Sequence, residues 1–317
     1  FVSVTVDSEI MDIFLQQIIN GLVQGSIYAL VALGYTMVYG IMGLINFAHG
    51  EVVMIGTLVA ITVASFLIKA GVPVALAGLA GLSASVLACM ALGWSLERLA
   101  YRPLRGSPRL TPLITAIGMS IVLQNLAMIV WGRNYMTFPS LLPKINFEVA
   151  GAHFTAVQVV IVVVSALTMG ALVFLVYRTK LGMAMRATAQ NPQVASLMGV
   201  NSNRVIAAAF VIGSALAALA GVMVGSYYEI AHYQMGFMLG LKAFTAAVLG
   251  GIGNLAGAMA GGILLGIIEA LGAGYIGDLT GGFLGSHYQD IFAFIVLIVV
   301  LMFKPSGLFG EKTGDRA

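Results

Sequence analysis

Long apolar runs alternate with short polar interruptions along the whole chain, near residues 13 to 40, 52 to 68, 73 to 96, 112 to 131, 156 to 177, 205 to 228, 243 to 272 and 290 to 303. A helix crosses a hydrocarbon core with about 20 residues, so most of these runs predict one crossing each. The last is short unless it begins near His287, and those at 13 to 40 and 243 to 272 are too long for a simple crossing. The pattern predicts an all-α polytopic integral membrane protein of about eight spans, with a broken or re-entrant helix pair.

The polar interruptions set the sidedness. Arg98, Arg102, Arg105 and Arg109 share one loop (97–111) with the single acid Glu97, and Arg178, Lys180, Arg186 and Arg204 share another (178–204) with no acid. Cytoplasmic loops concentrate Lys and Arg, and two spans separate these loops, so both are expected on that side. The tail 304–317 carries Lys304, Lys312 and Arg316 and is expected there too. An even number of crossings must then lie between Arg204 and Lys304, yet only three runs are visible. The run 243–272 is the one to split, at Gly250–Gly251–Ile252–Gly253–Asn254, where flexible backbone and a polar side chain favour a break; one half should run back through 229 to 249. Three crossings before Arg98 put the N-terminal segment 1–12 in the periplasm, in keeping with Asp7, Glu9 and Asp12. Residues 1–10 read as an upstream extension of a chain beginning at Met11, with no cleavable signal peptide. The membrane-spanning body is 13–303.

Composition agrees with lipid as the solvent. Hydrophobic residues make up 60% of the 317 and charged residues 9%, against about 25% charged in soluble domains. The 39 glycines suit helices that pack by close backbone approach. Gly257 and Gly261, then Gly262 and Gly266, have that spacing, for packing within the chain or against a second membrane subunit. Cys89 is alone, which supports no disulfide or metal site. Ile45–Asn46–Phe47–Ala48–His49–Gly50 echoes Ile252–Gly253–Asn254–Leu255–Ala256–Gly257, consistent with two related halves or with shared composition bias.

Two groups of residues are candidates for function. In the loop 178–204, Asn191 can cap a helix, Pro192 suits its first turn and Gly199 suits the left-handed position past its end, predicting a helix of about two turns. A helix so short is unstable alone in water, so Val194, Ala195, Leu197 and Met198 are expected to rest on a partner protein or on the chain's own helix ends. The second group is ionisable residues in or beside spans: His49, Glu51, Lys242, Glu229, Glu269 and Asp290. Such groups are functional candidates by default, although Glu229 and Asp290 read as solvated loop residues. Asn46, His49 and Glu51 flank one proposed break, and Lys242 leads to Gly250, Gly251, Gly253 and Asn254 at the other; these eight either line a pathway or lock helices together. No lysine directly follows a glycine, so no phosphate-binding G-x-x-x-x-G-K-[ST] loop exists, and the four histidines show no metal-ligand spacing.

The stretch Gly34 to Glu51 (GYTMVYGIMGLINFAHGE) resembles the first permease subunit of high-affinity branched-chain amino-acid ABC importers. Similar to it as well are Trp94–Pro103 (WSLERLAYRP), Ala116–Ser120 (AIGMS), Ala195–Gly199 (ASLMG) and Lys242–Gly253 (KAFTAAVLGGIG). The resemblance implies import of leucine, isoleucine, valine or related neutral amino acids. It also implies a second homologous permease, two cytoplasmic ATPase subunits holding ATP and Mg, and a periplasmic amino-acid-binding protein, with no cofactor on this chain and no nucleic acid. Arg186, Asn191, Pro192, Val194, Ala195, Ser196, Leu197, Met198 and Gly199 would form the ATPase-coupling helix region. The Asn191–Pro192 start departs from the acidic version associated with this position, which changes local charge and not the capping. The alternatives are an importer of urea or short-chain amides in the same family, and a self-sufficient secondary transporter or channel using Glu51 or Glu269.

Overall fold

The computed structural model describes residues 2–108, 110–143, 145–149, 151–279 and 288–310. Its helices are α1 (Val2–Met42), α2 (His49–Lys69), α3 (Val74–Leu96), α4 (Leu110–Trp131), α5 (Ala156–Arg178), α6 (Lys180–Gln190), α7 (Pro192–Leu197), α8 (Ser202–Tyr228), α9 (Met235–Gly250), α10 (Leu255–Leu279) and α11 (Gln289–Phe303). Among the described residues, seven helices are long and apolar enough to cross a membrane, and Met235–Gly250 and Ala293–Phe303 are shorter apolar helices. Short antiparallel pairs join β1 (Met136–Thr137) to β4 (Ile230–Ala231) and β2 (Asn146–Val149) to β3 (Ala152–Thr155).

The long run 243–272 is two helices, as the crossing count required. Gly251 and Gly253 have φ of +106° and +94°, a region open to glycine and costly for other residues, and the chain turns there between α9 and α10. The first of these helices starts at Met235 and does not reach back to 229. Glu229 ends α8 in the left-handed conformation (φ +57°), and the next two residues pair with β1.

Other boundaries move as well. α1 is continuous from Val2, so residue 12 marks no break. The loop 97–111 is helical for half its length: α3 widens into a π-turn at Glu97–Tyr101 and tightens into a 3₁₀ turn at Arg102–Leu104. Arg109, His287 and 311–317 lie outside the described residues. The loop 178–204 holds two helices where one was expected. Thr179 caps α6 through the Gly182 amide at 3.1 Å, and Gly182 lies against the carbonyls of Leu175 and Val176, where a Cβ has no room.

Glycine builds the core. Gly21 and Gly25 of α1 face Gly262, Gly266 and their neighbours on α10, while Gly257 and Gly261 face Gly250 and Ala246 of α9. Both small-residue pairs therefore serve packing within the chain. The break between α1 and α2 folds back into the bundle. Gly43 (φ +65°) makes the turn, and His49 at the start of α2 packs on Tyr35, seven residues or about 10 Å before the end of α1. Both echoing segments of the sequence thus fall at helix breaks.

Loops gather at two ends of the bundle. At one end the β2–β3 hairpin meets α1, where Gln16 exchanges hydrogen bonds with the His153 backbone, and a Thr155–Gln158 capping box starts α5. The other end carries the π-turn, α6, α7, the α9–α10 turn and the segment after α11.

Candidate functional site

The loop helix α7 has the predicted caps. Asn191 Oδ1 accepts from the amides of Gln193 and Val194 at 3.0 and 3.1 Å, Pro192 opens the first turn, and Gly199 closes the end with φ +84°. Its faces differ from the expectation at one position. Leu197 and Met198 are 85% and 81% exposed and Val194 is exposed, but Ala195 is buried at 4%, turned back onto the chain, so it is not part of an outward docking face. Gln193 and Ser196 are also exposed, and the Ser196 hydroxyl bonds the Gln193 carbonyl at 2.7 Å. Arg186 lies on α6, not on α7: its guanidinium donates to the Val176 carbonyl and covers the Tyr177 ring, a favourable charge at the end of α5.

The proposed pathway residues fall in three separate places. At the first break, Asn46, His49 and Glu51 are 4%, 2% and 1% exposed. Asn46 accepts from the Tyr101 hydroxyl at 2.8 Å and Glu51 from the Ser120 hydroxyl at 3.2 Å. The His49 ring occupies the space that Gly34 leaves. These groups tie the break to the end of α3 and to α4.

Lys242 is the centre of the second place. Its ammonium lies 3.1 Å from Glu269 of α10 and 2.6 Å from Asp290 of α11, and the Tyr28 hydroxyl of α1 donates to Glu269 at 2.8 Å. Four helices are locked by one ion cluster, as expected for charges kept inside a membrane. The reading of Asp290 as a solvated loop residue is corrected: it sits in the first turn of α11 and is held by Lys242. Glu229 is exposed at the rim of an apolar cavity of about 400 Å³ between α3, α5 and α8. Lys242 also lines a cavity of about 250 Å³ with Tyr28, Tyr135, Tyr228 and His232.

The third place is the α9–α10 turn. The segment after α11 covers it: the amides of Leu308 and Phe309 donate to the Leu249 and Gly250 carbonyls, both at 2.9 Å. Asn254 donates to the Phe309 carbonyl at 3.0 Å and accepts from the Gly257 amide at 3.1 Å. Gly250 and Gly251 are buried there, so this turn is packed, not open.

Sequence reasoning missed the residues that hold these places. Glu97 counts in the sequence as one loop acid among four arginines. In the structure its side chain is fully buried, bound by Arg102 at 3.0 Å and by Arg105. That it is the loop's single acid was the available signal. Tyr35, Tyr101 and Ser120 gave none, because one hydroxyl in an apolar run has no distinguishing spacing.

A family model described as the permease component of branched-chain amino acid transport systems matches residues 17–301. The chain belongs to this family. The "high-affinity branched-chain amino acid transport system permease protein BraD" of Pseudomonas aeruginosa is 49% identical over 309 residues, 96% of this chain and 98% of that protein. The corresponding LivH protein of Escherichia coli is 47% identical over 308 residues, 96% and 97% of the two chains. A more remote relative, the "autoinducer 2 import system permease protein LsrC" of Photorhabdus laumondii, is 33% identical over 42% of this chain. As a member of this family the chain is an ABC importer permease, a multi-pass protein of the bacterial inner membrane that works with the other components of a transport system.

Proposed function

We propose that this permease carries leucine, isoleucine, valine or closely related neutral amino acids into the cytoplasm. ATP and Mg are held by two separate ATPase subunits, a second homologous permease completes the membrane part, and a periplasmic binding protein delivers the solute. This chain itself binds no cofactor and hydrolyses nothing.

The observation that carries the reading is α7: a capped helix of six residues that presents Val194, Leu197 and Met198 to the outside. It stands at the end that bears Arg98, Arg102, Arg105, Arg178, Lys180 and Arg204, which the positive-inside rule assigns to the cytoplasm. An apolar knuckle there is the surface an ATPase cleft needs, and a secondary transporter has no use for it. The substrate class follows the names of the relatives, and the few charges inside the bundle, each locked to another helix, suit a zwitterion better than an ion.

Proteoliposomes holding this chain, the second permease and the ATPases test the reading. With binding protein outside and ATP inside, labelled leucine should accumulate, and omission of ATP or binding protein should abolish uptake. Uptake by this chain alone under an ion gradient would contradict the proposal, and ATP-driven uptake of urea but not leucine would move the substrate.

A further inference from the structure

We propose that Glu97 and Tyr101 are positioning residues that join α7 to the buried break at 43–48, so that an ATPase displacing α7 also displaces the start of α2. The inference rests on α7 being the docking helix.

The joint is a continuous set of contacts. Ser202, the first residue of α8, donates to the Pro192 carbonyl at the start of α7 at 3.2 Å. Its neighbour Asn203 accepts from the Arg105 guanidinium. Arg105 pairs with Glu97, which also receives two bonds from Arg102 at 3.2 and 3.0 Å. Glu97 opens the π-turn at the end of α3 and Tyr101 closes it. The Tyr101 hydroxyl reaches Asn46 inside the break, and the Asn46 carbonyl accepts from the His49 amide at 3.0 Å where α2 begins. An apolar link runs beside the polar one: the Tyr101 ring lies 5.1 Å from that of Phe210 on α8, in a buried cluster with Ile206 and Val38.

Three features make this a linkage and not only packing. Glu97 is buried between two cations, and separating it from them would leave an unpaired charge in the interior, so carboxylate and arginines move as one body. A π-turn inside a helix is a local change of winding that recurs at functional sites. A cavity of about 1050 Å³ is lined by Pro192, Gln193 and Ser196 of α7 and by Gly43 and Leu44 of the break, with Arg105, Ser202 and Asn203 on its wall, which leaves α7 room to move while the bonded route to the break runs along the cavity's edge.

The test is the number of ATP molecules hydrolysed per solute imported by the reconstituted complex. Tyr101→Phe removes one hydroxyl, and Asn203→Ala removes the acceptor for Arg105 at an exposed position. Both variants should keep their ATPases and raise the ratio by about two- to thirty-fold, the range over which residues on a coupling route act. Asn203→Asp, which keeps the acceptor, should restore it. Acting in series, the two changes combined should be no worse than the worse single one, whereas independent changes multiply. An unchanged ratio in both single variants overturns the proposal, and so does a multiplied double effect or a loss of complex at constant ratio. Leu197→Arg, measured alongside, separates the two levels. If it keeps its ATPases and full uptake, the docking reading and the linkage fall together. If it loses them while Tyr101→Phe and Asn203→Ala leave the ratio unchanged, the linkage alone falls.

Discussion

The two helix breaks solve the same problem in opposite ways. Each interrupts an apolar run inside a membrane protein, where unwound backbone must be satisfied by protein. The break between α1 and α2 is held from within, by Tyr101 of the π-turn after α3 and Ser120 of α4, which bond the side chains of Asn46 and Glu51 in the core. The α9–α10 turn is satisfied from outside, by the backbone of Leu308 and Phe309 laid over its carbonyls. A break held by side chains of other helices changes only with those helices. One strapped by the backbone that follows α11 is a fixed corner, and the proposed coupling route accordingly ends at the first break.

The contrast can be broken where the start of α2 packs on α9. Gly50 meets the backbone of Gly236 and Gly240 with no room for a Cβ, so Gly50→Leu should cost about 3 kcal/mol or more and lower the amount of folded protein recovered by size-exclusion chromatography in detergent. Near-normal recovery would mean that the first break is loosely packed. Asn46→Ala leaves the buried Tyr101 hydroxyl without its acceptor and should cost about 2 kcal/mol, read as a lower thermal midpoint, with transport more affected than assembly. Gly253→Ala has the smallest expected effect. Nothing lies within 4 Å of the added methyl, and only the positive φ opposes it, at about 1 kcal/mol. A midpoint loss there as large as at Gly50 would erase the distinction between the two breaks.

Much of this architecture was legible in the residues. The charge parity of the arginine loops demanded one more crossing, and the glycines at 250–253 marked the place. The α7 caps were legible because Asn191, Pro192 and Gly199 each need a specific backbone position. The facing of Ala195 was not, since a six-residue helix has too few positions to reveal which side is covered. α6 was missed although Lys180–Gln190 is amphipathic, because it is short and polar on average and so falls outside the long apolar runs that marked the spans. The ion cluster of Lys242, Glu269 and Asp290 was visible only as three separate charges, because pairing across 27 and 48 positions depends on how α9, α10 and α11 meet. The first break was legible as an echo but not as a re-entry, for which the signal is the contact between His49 and Gly34.

The central claim is that α7 is where ATP hydrolysis is delivered to the membrane part. Leu197→Arg, alone and with Met198→Arg, tests it most directly, because both side chains are exposed and the spans should fold unchanged. The account predicts normal membrane levels, loss of copurifying ATPase and loss of leucine uptake, since docking would bury an unpaired cation. A full complement of ATPase with undiminished uptake would contradict it.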